Sequence, residues 1–242
     1  MKRTLVYVGP TLSLAEVARI LPSALVQPPV AVGDLMQIVL GPPRERPARI
    51  AIIDGYFERM AAVWHKEILR AMELGIDVWG ASSMGALRAA ELAPFGMRGV
   101  GAIYKAFERG TLTADDEVAV AHLPAEHGYT AVSVALVDLR AAIAAAPMLT
   151  KVERERLVDT SRKHFYRDRT WEQLVEDGRA WLATKKANAL AAWIGTGRPS
   201  RKAADARLLL RTLAKTPAKR PPTVRVPRTW AIKQLENWLD DP

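Results

Sequence analysis

Cysteine is absent from this chain of 242 residues. That absence excludes disulfides, thiolate-type zinc sites, thiolate catalysis and any persulfide carried on the chain itself. Also missing is an apolar run near the ~20 residues that span a bilayer. The opening Met1-Lys2-Arg3-Thr4-Leu5-Val6-Tyr7-Val8-Gly9-Pro10 starts basic, but its apolar run is too short for a secretory signal and reads as a first strand. A cytoplasmic location without membrane contact is the default expectation. Acid is scarce at one end. Residues 1–145 carry 14 Lys and Arg against 15 Asp and Glu, whereas residues 146–242 carry 21 against 11, so the formal charge of +9 belongs to the C-terminal part. Between Arg198 and Arg228 ten bases face one acid, Asp205, with no aromatic residue among them. Such a segment suits an acidic peptide or protein, or is simply a solvated basic face. The missing aromatics argue against base stacking and so against nucleic acid.

What is present is the composition of a globular protein, 49% hydrophobic and 25% charged, long enough for one large domain or a domain with an appendage. Four apolar runs read as strands, at residues 4–8, 36–40, 49–54 and 76–79. Helical patterns fall at 13–21 and 59–74, the latter with apolar positions Met60, Val63, Trp64, Ile68, Leu69 and Met72. The alternation predicts βαβ units and an α/β fold, a mostly parallel sheet with flanking helices. Further helices are predicted over 101–109, 130–146, 151–166, 170–193 and 201–215. Residues 216–228, with four prolines, read as an extended linker before a last amphipathic helix over 228–239 carrying Trp230, Leu235, Trp238 and Leu239. The expected organisation is a core over 1–146, a helical basic extension over 147–215, and a linker with its helix over 216–242.

The richest stretch is Gly75-Ile76-Asp77-Val78-Trp79-Gly80-Ala81-Ser82-Ser83-Met84-Gly85-Ala86-Leu87-Arg88. A strand, a tight small-residue turn carrying a hydroxyl, and a helix make a nucleophile elbow. The turn lifts a serine Oγ off the sheet edge, and the helix start offers free N–H groups to an oxyanion. Ser83 fits better than Ser82, with Gly85 two residues on and Ala81 two before. Such turns also bind phosphate or only pack. Two other loops, Gly9-Pro10-Thr11 and Asp54-Gly55-Tyr56-Phe57, are expected on the same carboxyl edge of the sheet, where ligands bind.

A serine needs a base. Of four histidines, His122 and His127 lie near the acidic Asp115-Asp116-Glu117, which leaves a metal site as an alternative to surface placement, although the spacing matches no standard ligand pattern; His164 sits among basic residues. Lys66, in the helix feeding the serine strand, is the other candidate. It must be neutral to act, which requires burial or a neighbouring cation, and Trp64 offers apolar cover. A surface lysine paired with Glu67 is the plain alternative.

Several blocks together resemble the TfuA-like proteins: Val8-Gly9-Pro10-Thr11-Leu12, Ile52-Ile53-Asp54-Gly55-Tyr56-Phe57, Val63-Trp64-His65-Lys66-Glu67-Ile68, the serine stretch through Leu92, Phe95-Gly96-Met97, and Asp115-Asp116-Glu117-Val118-Ala119. The resemblance implies partnership with a YcaO enzyme, which activates peptide amides with ATP so that sulfur replaces oxygen. It implies an accessory hydrolase that cleaves the C-terminal thiocarboxylate of a ThiS-like sulfur carrier, releases sulfide to YcaO and helps it hold the precursor peptide. The family is associated with a Ser-Lys pair, matched here by Ser83 and Lys66, with the N–H near Met84 as oxyanion donor. Ser82, Asp54 and Arg88 are candidates for orientation, and no cofactor or metal is implied. Two other readings stay open: an adaptor without catalysis that docks YcaO, carrier and peptide, and a phosphate binder, which lacks the P-loop pattern.

Overall fold

In the computed structural model, residues 3–57, 61–222 and 225–240 are described. Five short strands, β1 (Thr4–Tyr7), β2 (Ala24–Gln27), β3 (Arg49–Ile52), β4 (Asp77–Gly80) and β5 (Arg98–Gly99), form one parallel sheet in the order β2-β1-β3-β4-β5. This is the order of a doubly wound sheet, in which the connections reverse direction between β1 and β3 and open a crevice beyond their carboxyl ends. β3 and β4 are buried along their whole length, as strands covered on both faces must be.

The period-two geometry of the strands divides the core. Leu5, Tyr7, Ile50, Ile52 and Val78 face α2 (Asp34–Leu40), α3 (His65–Glu73), α4 (Met84–Leu92) and α11 (Trp230–Asp240). Val6, Ala51, Ile53 and Trp79 face the other way, against α1 (Leu14–Ile20) and α10 (Arg201–Lys215), to which α10 contributes Ala203, Ala206, Leu209, Leu210 and Leu213. So the last long helix of the chain covers half the sheet. Between α5 (Ala102–Glu108) and α10 lie α6 (Leu136–Ala145), α7 (Lys151–Lys163), α8 (Trp171–Arg179) and α9 (Thr184–Gly195), which bury Leu139, Ile143, Leu157, Leu174 and Leu190 in a cluster of their own.

The α/β architecture and the parallel sheet agree with the sequence reading, but some elements differ. Residues 36–40, expected as a strand, are helix α2. A run of five apolar residues does not distinguish strand from buried helix. Here the buried positions Leu35, Met36 and Val39 have helical spacing, and Asp34 Oδ2 accepts the Ala31 N–H at 2.7 Å ahead of the first turn. The strand pairing with β1 is instead Ala24–Gln27, short and alternately exposed, which left little signal. The helix expected over 59–74 begins at His65, residues 58–60 lying outside the described ones. The helix expected over 130–146 begins at Leu136, because Ala131 pairs across to His122. The helix expected over 170–193 is two, α8 and α9, folded back so that Leu174 and Leu190 share one cluster. The expected side chains Leu235, Trp238 and Leu239 on α11 lie outside the described ones. Among the described residues no helix is long and apolar enough to cross a membrane.

Candidate active site

The serine turn is built by close packing. A Cβ on Gly85 would stand 1.8 Å from the Ile52 carbonyl oxygen, and one on Gly80 would stand 1.9 Å from that of Gly85. Only glycine at both positions lets α4 press its first turn onto β3 and β4. Ser82 is forced into the left-handed region, with φ 71°, and the Ser83 N–H folds back onto the Ala81 carbonyl at 3.0 Å. A three-residue turn of this kind in a non-glycine residue stores strain, as elbows do. The Ser82 hydroxyl is enclosed and has no partner among the described residues. Ser83 opens α4, lines a cavity of about 520 Å³, and donates its hydroxyl to the Val118 carbonyl at 3.3 Å.

The loops expected on one edge do meet there. Pro10, Asp54, Gly55, Tyr56 and Phe57 line the same cavity as Ser83. Asp54 organises it: Oδ2 accepts the Gly9 and Thr11 N–H groups at 2.9 and 3.1 Å, and Oδ1 accepts the Thr11 hydroxyl at 2.6 Å. The opposite wall is the segment from Val120 to Glu126 with Val132 and Tyr166.

Beside Val118 and Asp54 lies a lysine that the sequence reading did not single out. Lys202 is 4% exposed and donates Nζ to the Val118 carbonyl at 2.9 Å, the acceptor also used by Ser83. Its Nζ is 4.0 Å from Asp54 Oδ1. Burial holds the ammonium below the ordinary lysine range, against Asp54 and Asp138, which favour the charged form. Its place in the first turn of α10 adds the positive end of a helix dipole, which disfavours the charge further. Asp138 fixes this helix end, accepting the Lys202 N–H at 3.0 Å and the Ser200 hydroxyl at 2.9 Å.

The other expected residues are placed as follows. Lys66, in the first turn of α3, donates Nζ to Thr229 Oγ1 at 2.7 Å, tying α3 to the segment that leads into α11. Arg88 donates to the Val63 carbonyl at 3.1 Å and to Glu91 at 2.7 Å, beside His65. Neither lines the serine cavity as described. Met84 is the first residue of α4, where an N–H has no intrahelical acceptor. The acidic run is held by arginines: Asp116 accepts from Arg169 at 2.6 Å, and Glu117 takes both ends of the Arg140 fork at 3.0 and 2.7 Å. Among the described residues no three His, Asp or Glu side chains come together as a metal site.

Residues 54–170 match the family model described as TfuA-like protein. The chain carries a TfuA-like domain over this span. No curated protein matches it. The matched span opens on Asp54 and contains Ser83, Val118 and His122; Lys202 comes from beyond it, on α10. Two features of the site were missed in the sequence. The Val118 carbonyl is a backbone group and has no side-chain signature. Lys202 sits in a run of bases that reads as a solvated face. A hint was its position two residues after Ser200, a helix cap, ahead of Ala203, Ala206, Leu209, Leu210 and Leu213 at core spacing. His122, weighed in the sequence as a base or metal ligand against plain surface placement, lines the cavity with Ser83.

Proposed function

We propose that this TfuA-like protein is an acyl hydrolase in which Ser83 is the nucleophile and Lys202 its base. The observation that carries the reading is the shared acceptor: Ser83 Oγ and Lys202 Nζ both donate to the Val118 carbonyl, and burial disfavours the charge on Lys202. A neutral amine keeps one N–H on Val118 and presents its lone pair to Ser83. The hydroxyl then turns from the carbonyl to the amine and loses its proton as Oγ attacks an acyl carbon. The N–H of Met84 faces the oxyanion from the start of α4, and Asp54 holds the Gly9–Thr11 loop around the incoming group. Lys66 then serves the C-terminal segment through Thr229, and Arg88 serves the α4 surface.

The TfuA-like domain supports a role in a thioamide-forming system with a YcaO partner. The substrate we assign is a thiocarboxylated ThiS-like carrier. Ser83 attacks the acyl carbon, the C–S bond breaks, and Lys202 passes the serine proton to the departing sulfur, which leaves as hydrosulfide for YcaO. Aid to YcaO in holding its precursor peptide, and a cytoplasmic setting, belong to the same reading. The test is labelling with a fluorophosphonate, located by peptide mass spectrometry. The expected adduct is on Ser83, and it is lost in Lys202→Met; an adduct on Ser82, or none, contradicts the assignment. A docking role without catalysis has one observation in its favour, the 3% exposure of Ser83. In that case Ser83→Ala leaves both labelling and sulfide release as in the wild type.

A further inference from the structure

An acyl-enzyme must be cleaved by water, and Lys202 is poorly placed to activate it. It is almost fully buried, is held on the Val118 carbonyl, and does not line the cavity from which the water is drawn. Resting on the acyl-hydrolase reading above, we propose that His122 is the catalytic base of the second half-reaction, drawing the hydrolytic water from the cavity onto the acyl-Ser83 carbon.

His122 lines the same cavity as Ser83. Its Nδ1 lies 2.8 Å from the Leu123 carbonyl oxygen, a group that can only accept. Nδ1 therefore carries the hydrogen, and Nε2 of the neutral ring carries the lone pair, the tautomer a base requires. The ring is fixed by aromatic neighbours, Tyr56 and Tyr129, each with its centroid 5.7 Å away. Tyr129 reaches this position from a left-handed backbone, φ 56°, a conformation that costs a tyrosine free energy and persists because the loop is held around it.

The register is shared as well. Val118, whose carbonyl accepts from Ser83 and Lys202, and His122 belong to one short segment. Arg169 anchors this segment at Asp116, Arg140 at Glu117, and the Ala121 N–H donates to Ser133 Oγ at 2.7 Å. The acidic run is thus a pair of anchors that aim the carbonyl and the histidine. A volume of about 520 Å³ holds a small acyl group with water beside it, a water claiming about 30 Å³.

In the step proposed, Nε2 takes one proton from water while the water oxygen bonds to the acyl carbon. The tetrahedral adduct then collapses and the C–Oγ bond breaks. Oγ takes the proton back from the imidazolium, and the carboxylic product ionises into solvent. No redox partner is needed.

The test uses the full chain, p-nitrophenyl acetate as acyl donor, and stopped-flow absorbance with intact-protein mass spectrometry. His122→Phe keeps a ring between the two tyrosines; His122→Gln is the second variant, in case the first folds poorly. The expected result is a burst of one p-nitrophenolate per protein in both variants, followed by steady-state turnover down by about 100-fold. Acetyl-Ser83 accumulates, and added imidazole restores turnover. A folded variant that turns over at the wild-type rate without accumulating adduct overturns the assignment of His122 and leaves Ser83 untouched. Absence of any adduct in wild type and variants alike overturns the serine reading and this proposal with it.

Discussion

Lys202→Met separates two accounts of the lysine in this site. Methionine has about the length of lysine without the amine, so it fills the enclosed space on α10 and keeps the helix start capped by Asp138. What disappears is the hydrogen bond to Val118 at 2.9 Å and the neighbour 4.0 Å from Asp54. Asp54 keeps its three donors from Gly9 and Thr11, and Val118 keeps the Ser83 hydroxyl, so the structural loss is about 1 kcal/mol. The catalytic loss is larger. A positioned base contributes about 10²–10⁴ in rate, or about 3–5 kcal/mol of barrier. Hydrolysis of a thiocarboxylated carrier, followed by sulfide release, is therefore expected to fall at least 100-fold in Lys202→Met, with a circular dichroism spectrum like the wild type. Lys66→Met loses only its bond to Thr229 and is expected to stay within a few-fold of the wild type. Because burial lowers the pKa of Lys202, the neutral form is reached at a lower pH than for a free lysine. The wild-type rate is expected to rise with pH through that ionisation, and the rise disappears in Lys202→Met. Near-wild-type activity in Lys202→Met, with collapse in Lys66→Met, would refute the reasoning.

Three further outcomes follow from the same geometry. Burial pushes the Glu67 carboxyl up to about 7 although it accepts the Gly33, Met36 and Trp64 N–H groups, so its contribution is full below the unfolded value near 4.5 and is lost as pH rises through 7. Urea midpoints of the wild type should decline over that window by up to about 3 kcal/mol in stability relative to Glu67→Gln; parallel profiles would contradict this. Gly85→Ala drives a methyl against the Ile52 carbonyl, and thermal melting should register a loss of about 3 kcal/mol or more, whereas an unchanged melting temperature would mean the elbow is not so tightly packed. Arg169→Ala strips donors from the carbonyls of Asp116, Ser161 and His164, at a cost of about 3 kcal/mol, and should raise proteolytic cutting between Asp116 and Leu123; an unchanged cleavage pattern counts against the anchoring role.

The elbow was legible because each of its demands falls on neighbouring residues: apolar β4, small Gly80 and Gly85, then helix-forming α4. The convergence of Gly9, Asp54 and Ser83 was legible too, since parallel strands put their following loops on one edge. The lysine that shares the Val118 carbonyl with Ser83 was not, because Lys202 lies far along the chain, at the start of a helix that packs on the sheet. A lysine near the serine in sequence was visible, and one brought near by the last long helix was not. The edge strand Ala24–Gln27 was hidden for a different reason: with one side open it needs only two half-buried residues. For Asp116 and Glu117 the sequence displayed the charges but not the arginines that answer them.

Sulfide release from a thiocarboxylated ThiS-like carrier, compared between the wild type and Ser83→Ala, is the most direct test of Ser83 as nucleophile. Turnover with carboxylate product is expected for the wild type and none above background for the folded variant. Equal release by both proteins would contradict it.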